Sequence, residues 1–199
     1  PKLGGKIQEL KSGHQYDCWS PDGNLIAGFL SDDKRIEIIK RETDEVVKTI
    51  KLIGEFNWLH DIDWSPNGDE ILFLTSSASS DIYQVWTIKT DGTQQQKILE
   101  ESKIIYSPRW SLDGNHIYYL QSSEITQDLM KMEVSSNASD TKAQVVQTGL
   151  QAYGFSITSD NKKLCYTKYN SFSNLWKFTY SERANLFQSK KLTEGTSLF

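Results

Sequence analysis

The chain has 199 residues, a formal net charge of −4 and an isoelectric point near 5.4. Its lysines and arginines are scattered, whereas nucleic-acid phosphates require a clustered basic surface, so we expect no nucleic-acid partner. No apolar run approaches the roughly 18 residues of a membrane span, so we expect no membrane insertion.

One turn motif recurs along the chain. The segment Trp19–Gly23 (WSPDG) returns as Trp64–Gly68 (WSPNG), as Trp110–Gly114 (WSLDG) and, weakened, as Ile157–Asn161 (ITSDN). The steps of 45, 46 and 47 residues lie in the range of propellers and other modular arrays. Ser, Pro, Asp or Asn, and Gly in succession predict a type I turn. Asn161 replaces Gly without loss of the turn, since Asn tolerates positive φ.

Four strands are predicted around each turn, one before it and three after it. Hydrophobicity falls from the second strand of a repeat to the fourth, and the second strands are apolar at consecutive positions, which indicates that both of their faces are covered. Helix is expected to be nearly absent, with residues 41–48 and 182–188 read as loops. The predicted strands are 16–19, 25–27, 36–39 and 46–50; 59–64, 71–74, 85–88 and 97–99; 105–110, 117–120, 129–132 and 144–146; 153–157, 164–166, 175–178 and 191–192.

Four antiparallel strands in 40–50 residues are typical of one blade of a β-propeller. The sequence therefore predicts an all-β fold with about four four-stranded blades. We place the blades at residues 14–50, 58–99, 104–147 and 152–193, within a single propeller region that covers residues 1–199.

The repeat resembles that of the TolB-like, WD-like propeller family. The resemblance is carried by the WSPDG turn, by VWTIKTDG at residues 85–92, by KIL at 97–99 and by KLTEG at 191–195, and it covers about residues 6–195. The Gly-His and Trp-Asp pairing of the other common propeller repeat does not occur. The resemblance implies a bacterial propeller, usually of six to eight blades. It implies no particular activity, and it favours a periplasmic or extracytoplasmic location.

The ends of the chain predict an incomplete propeller. Residues 4–10 read as the outermost strand of another blade, and the chain stops where the family pattern would begin a fifth blade. We therefore expect a part of a larger ring, which closes by pairing residues 6–10 with sequence beyond Phe199. An open arc of blades exposes its end faces, so self-association is also expected.

The richest polar cluster is predicted on the first strand of the second blade. Strand alternation places Asp61 and Asp63 on one face and His60 on the other. The two carboxylates suit a cation or an amine-bearing ligand, although hydrogen bonding to the backbone of a neighbouring blade is the commoner role. Arg109 is equivalent to Asp63 in the next blade, which predicts an ion pair between the two.

Aromatic residues near the ends of the first strands complete the candidate site. Trp58, Tyr106 and Tyr153 could line a channel mouth and stack on a ligand, although packing in the core is the commoner role for such side chains. The candidate ligand-binding residues on the channel face are thus His60, Asp61, Asp63, Tyr106, Arg109 and Tyr153.

The remaining reactive side chains give no indication of catalysis or of metal or cofactor binding. Cys18 and Cys165 are expected to be buried reduced thiols, and His14 and His116 to be solvated. Metal-ligand spacings, a nucleophile elbow and a phosphate-binding glycine loop are all missing from the sequence, so no catalytic residue, metal or cofactor is predicted.

These observations favour a non-catalytic module that binds a protein or peptide as a scaffold or sensor. Two alternatives stay open. The propeller could gate an attached peptidase domain of the prolyl-oligopeptidase or tricorn type, or it could be the sensor half of a kinase or transcription factor. A direct hydrolytic role for Asp61 and Asp63 is the least favoured reading.

Overall fold

The fold was analysed in a computed structural model, which describes residues 13–77, 81–123, 126–134, 143–158, 163–168, 172–181, 186–193 and 196–197. The chain divides into two units, Pro1–Thr167 and Lys168–Phe199. All regular elements in the described ranges are strands, and none of these residues belongs to a helix long and apolar enough to cross a membrane. The strand predicted over residues 4–10 lies outside the described residues.

The first unit contains three antiparallel four-stranded sheets, each in simple sequence order. Strands β1 (Asp17–Trp19), β2 (Leu25–Leu30), β3 (Arg35–Lys40) and β4 (Val46–Lys51) form the first sheet. The second sheet has β5 (Trp58–Trp64), β6 (Glu70–Ser76), β7 (Tyr83–Lys89) and β8 (Gln96–Glu101). The third has β9 (Ile105–Trp110), β10 (His116–Ser123), β11 (Thr126–Glu133) and β12 (Gln144–Leu150).

The fourth predicted blade is described as three strand pairs rather than as one sheet. Strand β13 (Ala152–Ile157) pairs with β14 (Leu164–Lys168). In the second unit, β15 (Phe172–Ser173) pairs with β18 (Thr196–Ser197), and β16 (Trp176–Ser181) pairs with β17 (Leu186–Lys191). Two stretches expected to be loops contain strand, since β4 begins at Val46 and β17 begins at Leu186.

The core consists of layers between successive sheets, as the doubly apolar second strands predicted. On β6, Ile71 and Phe73 pack towards the first sheet, whereas Leu72 and Leu74 pack towards the third. Successive side chains of a strand point to opposite faces, so a central strand of this kind supplies two cores at once. A third layer, with Leu120 and Phe155 among its members, joins the third sheet to β13.

The predicted turns close as expected in the three complete motifs. The amides of Gly23, Gly68 and Gly114 each donate to the carbonyl of the motif serine at 2.9 Å. These glycines have φ values of 72°, 83° and 70°, a region that disfavours side chains with a Cβ.

A hydroxyl clamp accompanies each turn. The side-chain oxygens of Ser20, Ser65 and Ser111 accept the amide hydrogen five residues later, at 2.9, 2.8 and 2.9 Å. In the weakened fourth motif, Thr158 Oγ1 accepts from the Lys163 amide at 3.0 Å, although Pro and Gly are both missing there. The clamping hydroxyl is therefore kept even in the motif that lacks both Pro and Gly.

Replacing Ser65 by alanine should lower the free energy of unfolding by about 1–3 kcal/mol, because the partly buried Glu70 amide would lose its acceptor. Ser65 is 2% exposed, and its hydroxyl also donates to Asn67 Oδ1 at 2.7 Å. Urea denaturation monitored by circular dichroism measures the change. The exposed Ser102→Ala variant is the control and should stay within about 0.5 kcal/mol of the parent; equal effects in the two variants would contradict the clamp.

The first strands of the successive sheets lie side by side, in the order β1, β5, β9 and β13. Each starts at the same end of its sheet. Side chains near the starts of these strands therefore converge from different repeats.

Candidate functional site

A cleft of about 360 Å³ opens where β5, β9 and β13 begin. We call it the aromatic cleft. Its described lining is rich in aromatic and polar side chains from successive repeats, with aliphatic walls: His60, Asp61, Leu74, Tyr83, Ile104, Ile105, Tyr106, Ser107 and Tyr153. Four of the six candidate residues, namely His60, Asp61, Tyr106 and Tyr153, are brought together here.

A β-bulge places His60 in this cleft beside Asp61. Leu59 pairs with Thr75 and Asp61 pairs with Leu74, so His60 is an extra residue in β5. Strand alternation predicted that His60 and Asp61 would face opposite sides, and that prediction is wrong, because a bulge interrupts the two-residue period.

The His60 ring is held by two neighbours. Its Nε2 atom lies 2.6 Å from Ser76 Oγ, and its centroid lies 5.9 Å from that of Tyr83. Burial lowers the pKa of His60, against a smaller opposite effect of the Asp61 carboxylate. Burial therefore favours the neutral imidazole.

Three tyrosines surround the cleft. The rings of Tyr106 and Tyr153 meet edge to face, with centroids 5.9 Å apart and planes at 84°. Burial raises the pKa of Tyr106, and the nearby hydroxyls of Tyr153 and Tyr83 add to the rise. Core packing was the commoner expectation for Trp58 and Tyr153, yet both are exposed.

Ser107, which lines the cleft, has a strained backbone and forms a hydrogen bond to β13. Ser107 has a φ of 47°, which is uncommon for a residue with a side chain, and lies in a bulge of β9. Its hydroxyl donates to the Tyr153 carbonyl at 3.0 Å. Strain of this kind often accompanies functional sites.

Asp61, and not Asp63, is the partner of Arg109. The Arg109 guanidinium forms an ion pair with Asp61, with Nη1 3.0 Å from Oδ1, and donates to the Pro108 carbonyl at 2.8 Å. Asp63 instead accepts the Trp110 amide hydrogen through Oδ2 at 2.8 Å. The predicted Asp63–Arg109 pair is therefore wrong, whereas the alternative role of binding the backbone of the next blade is confirmed.

Asp63 lines a different cavity from the aromatic cleft. This cavity of about 260 Å³ lies at the turn ends of the first strands, beside Trp19, Trp64 and Trp110. Burial raises the pKa of Asp63 to about 6, although the Trp110 amide and Arg109 both act to lower it.

A third cavity, of about 530 Å³, adjoins the aromatic cleft at His60. Tyr16 and Trp58 are among its lining residues, so the accessible surface continues along the starts of β1 and β5. Among the described residues, no group of three or more His, Cys, Asp or Glu side chains is arranged to hold a metal ion.

Two further expectations need correction. His14 is not solvated: its side chain is 5% exposed, with Nε2 3.5 Å from Glu37 Oε2. A Cβ at Gly28 would lie 2.6 Å from the His14 ring, so this glycine leaves the space that the ring fills. Both cysteines are free, but only Cys18 is partly buried; Cys165 is exposed.

Tyr83 and Ser107 are cleft residues that the sequence analysis missed. Tyr83 begins the third strand of its repeat and pairs with Ser76, which returns it to the end of the sheet where β5 starts. Antiparallel order alone could have indicated this position. Ser107 carried no such signal.

No family model matches the sequence. Two curated relatives match part of it. Protein transport protein SEC13 of Candida albicans is 31% identical over 72 residues, or 35% of this chain and 24% of that protein. Dipeptidyl-peptidase 5 of Porphyromonas endodontalis is 26% identical over 129 residues, or 63% of this chain and 17% of that protein. The matched regions thus span about a quarter or less of these relatives.

Solved structures share the fold at low identity. TolB from Acinetobacter baumannii superposes with a TM-score of 0.54 and 17% identity, over 90% of this chain and 43% of that chain. The Cps50 (Swd1) β-propeller domain of Myceliophteria thermophila superposes with a TM-score of 0.55 and 14% identity, over 94% of this chain and 57% of that chain.

The all-β sheets, the turn-bearing repeat and these likenesses agree. The chain has a β-propeller fold, and its repeats are similar to those of TolB-like and WD-like propellers.

Proposed function

We propose that this chain is a non-catalytic binding module that holds a protein or peptide partner in the aromatic cleft. One observation carries the proposal: side chains of β5, β7, β9 and β13, from three successive repeats, converge on one cavity. Polar groups that converge in a mostly apolar cavity are the usual form of a binding site.

The surface around the cleft supports a peptide-sized partner. The adjoining cavity shares His60 and carries Tyr16 and Trp58, so bound chain could run along the starts of several first strands. Tyr and Trp are enriched where proteins bind one another, because each offers a large contact area at low conformational cost.

The geometry at His60 supports binding over hydrolysis. A serine beside a histidine could in principle act as a nucleophile. The Ser76 hydroxyl is buried, however, and Ser76 does not line the cleft, so a substrate there would not reach it.

A second candidate function is the gating of an attached peptidase. The similarity to dipeptidyl-peptidase 5 over 129 residues favours it. In that case the partner would be a peptide substrate on its way to another domain. The complete reading frame distinguishes the two, since a Gly-x-Ser-x-Gly segment followed by Asp and His would favour the peptidase.

The binding role is tested by selecting a random displayed peptide library on the immobilised chain. We expect enriched peptides whose affinity falls at least about tenfold in Tyr153→Ala, as for a central aromatic contact. Tyr166→Ala is the matched control, because Tyr166 is an exposed tyrosine of β14 outside the cleft lining. Peptides that lose equal affinity in both variants, or none in either, would refute the assignment of the site.

A further inference from the structure

We propose that the aromatic cleft selects a positively charged side chain, a lysine ammonium or an arginine guanidinium, on its peptide partner. This inference rests on the proposed binding function and specifies the chemistry of the ligand.

The tyrosine rings provide the first argument. Tyr106 and Tyr153 stand nearly perpendicular, at 84°, and Tyr83 also lines the cleft, with its ring centroid 5.9 Å from that of His60. The face of an aromatic ring carries negative charge density, so a cation enclosed by several rings is attracted to each of them.

The charge distribution provides the second argument. Asp61 lines the cleft with its side chain 20% exposed. Its Oδ1 atom accepts a hydrogen bond from the Ile62 amide at 2.9 Å and lies 3.0 Å from Arg109 Nη1, and within the described part of the chain no hydrogen bond reaches Oδ2. An incoming cation can therefore contact Oδ2 without displacing Arg109.

None of the described lining residues is a lysine or an arginine, although Arg109 lies behind the lining, paired with Asp61 Oδ1. Among the described lining residues, Asp61 is the one formally charged side chain, since Arg109 does not line the cleft. Burial lowers the pKa of His60 and so favours its uncharged form. A ligand carboxylate would meet Asp61 at close range, and that repulsion disfavours an anionic partner.

The shape of the cleft suits a long side chain with a charged end. Leu74, Ile104 and Ile105 form an aliphatic part of the lining, and the volume is about 360 Å³. Lysine and arginine bury their methylene stems on apolar surface while the charged group reaches polar atoms. The aliphatic part would hold the stem, and Asp61 with the tyrosines would hold the charge.

The test uses the peptides enriched on the intact chain. In each, every Lys is replaced by norleucine and every Arg by citrulline, which remove the charge and keep the length. We expect one such position per peptide to lose affinity about tenfold or more, measured by titration calorimetry. Whether the sensitive residue is Lys or Arg distinguishes the two cationic groups.

Variants of the protein test whether the lost peptide affinity arises from contacts with Asp61 and Tyr153. Asp61→Asn should lose affinity for the charged peptide and not for its norleucine or citrulline form, whereas Asp69→Asn, in an exposed turn outside the lining, should lose neither. Tyr153→Leu should lose more than Tyr153→Phe, which keeps the ring. Tyr153 is exposed, so its variants keep the test valid even if Asp61→Asn unfolds.

The failures are distinguishable. Peptides that depend on the cleft but tolerate every charge-removing replacement would overturn the cationic preference and leave the binding role standing. A selection without any cleft-dependent peptide would overturn the binding role and this inference with it.

Discussion

Replacing Phe73 by alanine is expected to lower the free energy of unfolding by about 3–5 kcal/mol. Phe73 is 0% exposed in β6 and belongs to the layer between the first and second sheets. Its ring stacks on Trp86, with centroids 6.2 Å apart and planes at 7°. The substitution removes this contact and leaves a cavity that rigid sheets on both sides cannot fill.

Urea denaturation followed by tryptophan fluorescence measures the loss. Ile53→Ala is the matched control, since Ile53 is 71% exposed and its truncation should change stability by no more than about 0.5 kcal/mol. A loss below about 1 kcal/mol for Phe73→Ala would show that this layer is not a close-packed core.

The second large effect concerns Asp63 and pH. Burial raises the pKa of this carboxyl to about 6, from an ordinary 3.8. Between these values the folded chain holds a proton that the unfolded chain has lost, so Asp63 makes folding less favourable as pH rises through this window. A difference of about two pKa units corresponds to about 2–3 kcal/mol.

Asp63→Asn removes this dependence and keeps an oxygen for the Trp110 amide. The free energy of unfolding of the variant, relative to that of the parent, should be about 2–3 kcal/mol higher at pH 7 than at pH 4. Because the comparison is between two pH values, any constant effect of the substitution cancels. Denaturation midpoints at both pH values provide the measurement.

Asp113→Asn is the control with the opposite sign. The hydrogen bond from Ser111 lowers the pKa of the exposed Asp113 to about 2, so its stabilising contribution is lost only as pH falls below about 4. Asp113→Asn should therefore not raise the free energy of unfolding at pH 7 relative to that at pH 4. If Asp63→Asn and the parent show the same pH dependence, the carboxyl ionises in the folded chain at its ordinary pKa.

The propeller fold was predictable because its signals are local. A turn at Ser65 needs only the residues up to Glu70, and the serine or threonine hydroxyl that clamps it appears in all four motifs. The consecutive apolar residues of β6 indicate two covered faces by strand alternation alone. The TolB-like resemblance agrees with the fold of the solved structures, including that of TolB itself.

The candidate site was predictable in part. His60, Asp61, Tyr106 and Tyr153 share one cleft because they lie near the starts of first strands, a position that the repeat already defines. Their orientations were not predictable to the same degree. Tyr153 is exposed rather than packed, since exposure depends on neighbours from other repeats.

By itself, then, the sequence determined the repeat, its turns, the strands and the end of the sheets where polar and aromatic groups gather. Tertiary structure alone decided that His60 shares a cleft with Asp61, that Arg109 pairs with Asp61, and that Asp63 belongs to another cavity. The pairings of Asp61 and Asp63 depend on which groups of the next repeat lie beside them, and the place of His60 depends on a bulge. A bulge is a mismatch between two paired strands, so neither strand carries it alone, yet one extra residue reverses the direction of the side chains that follow.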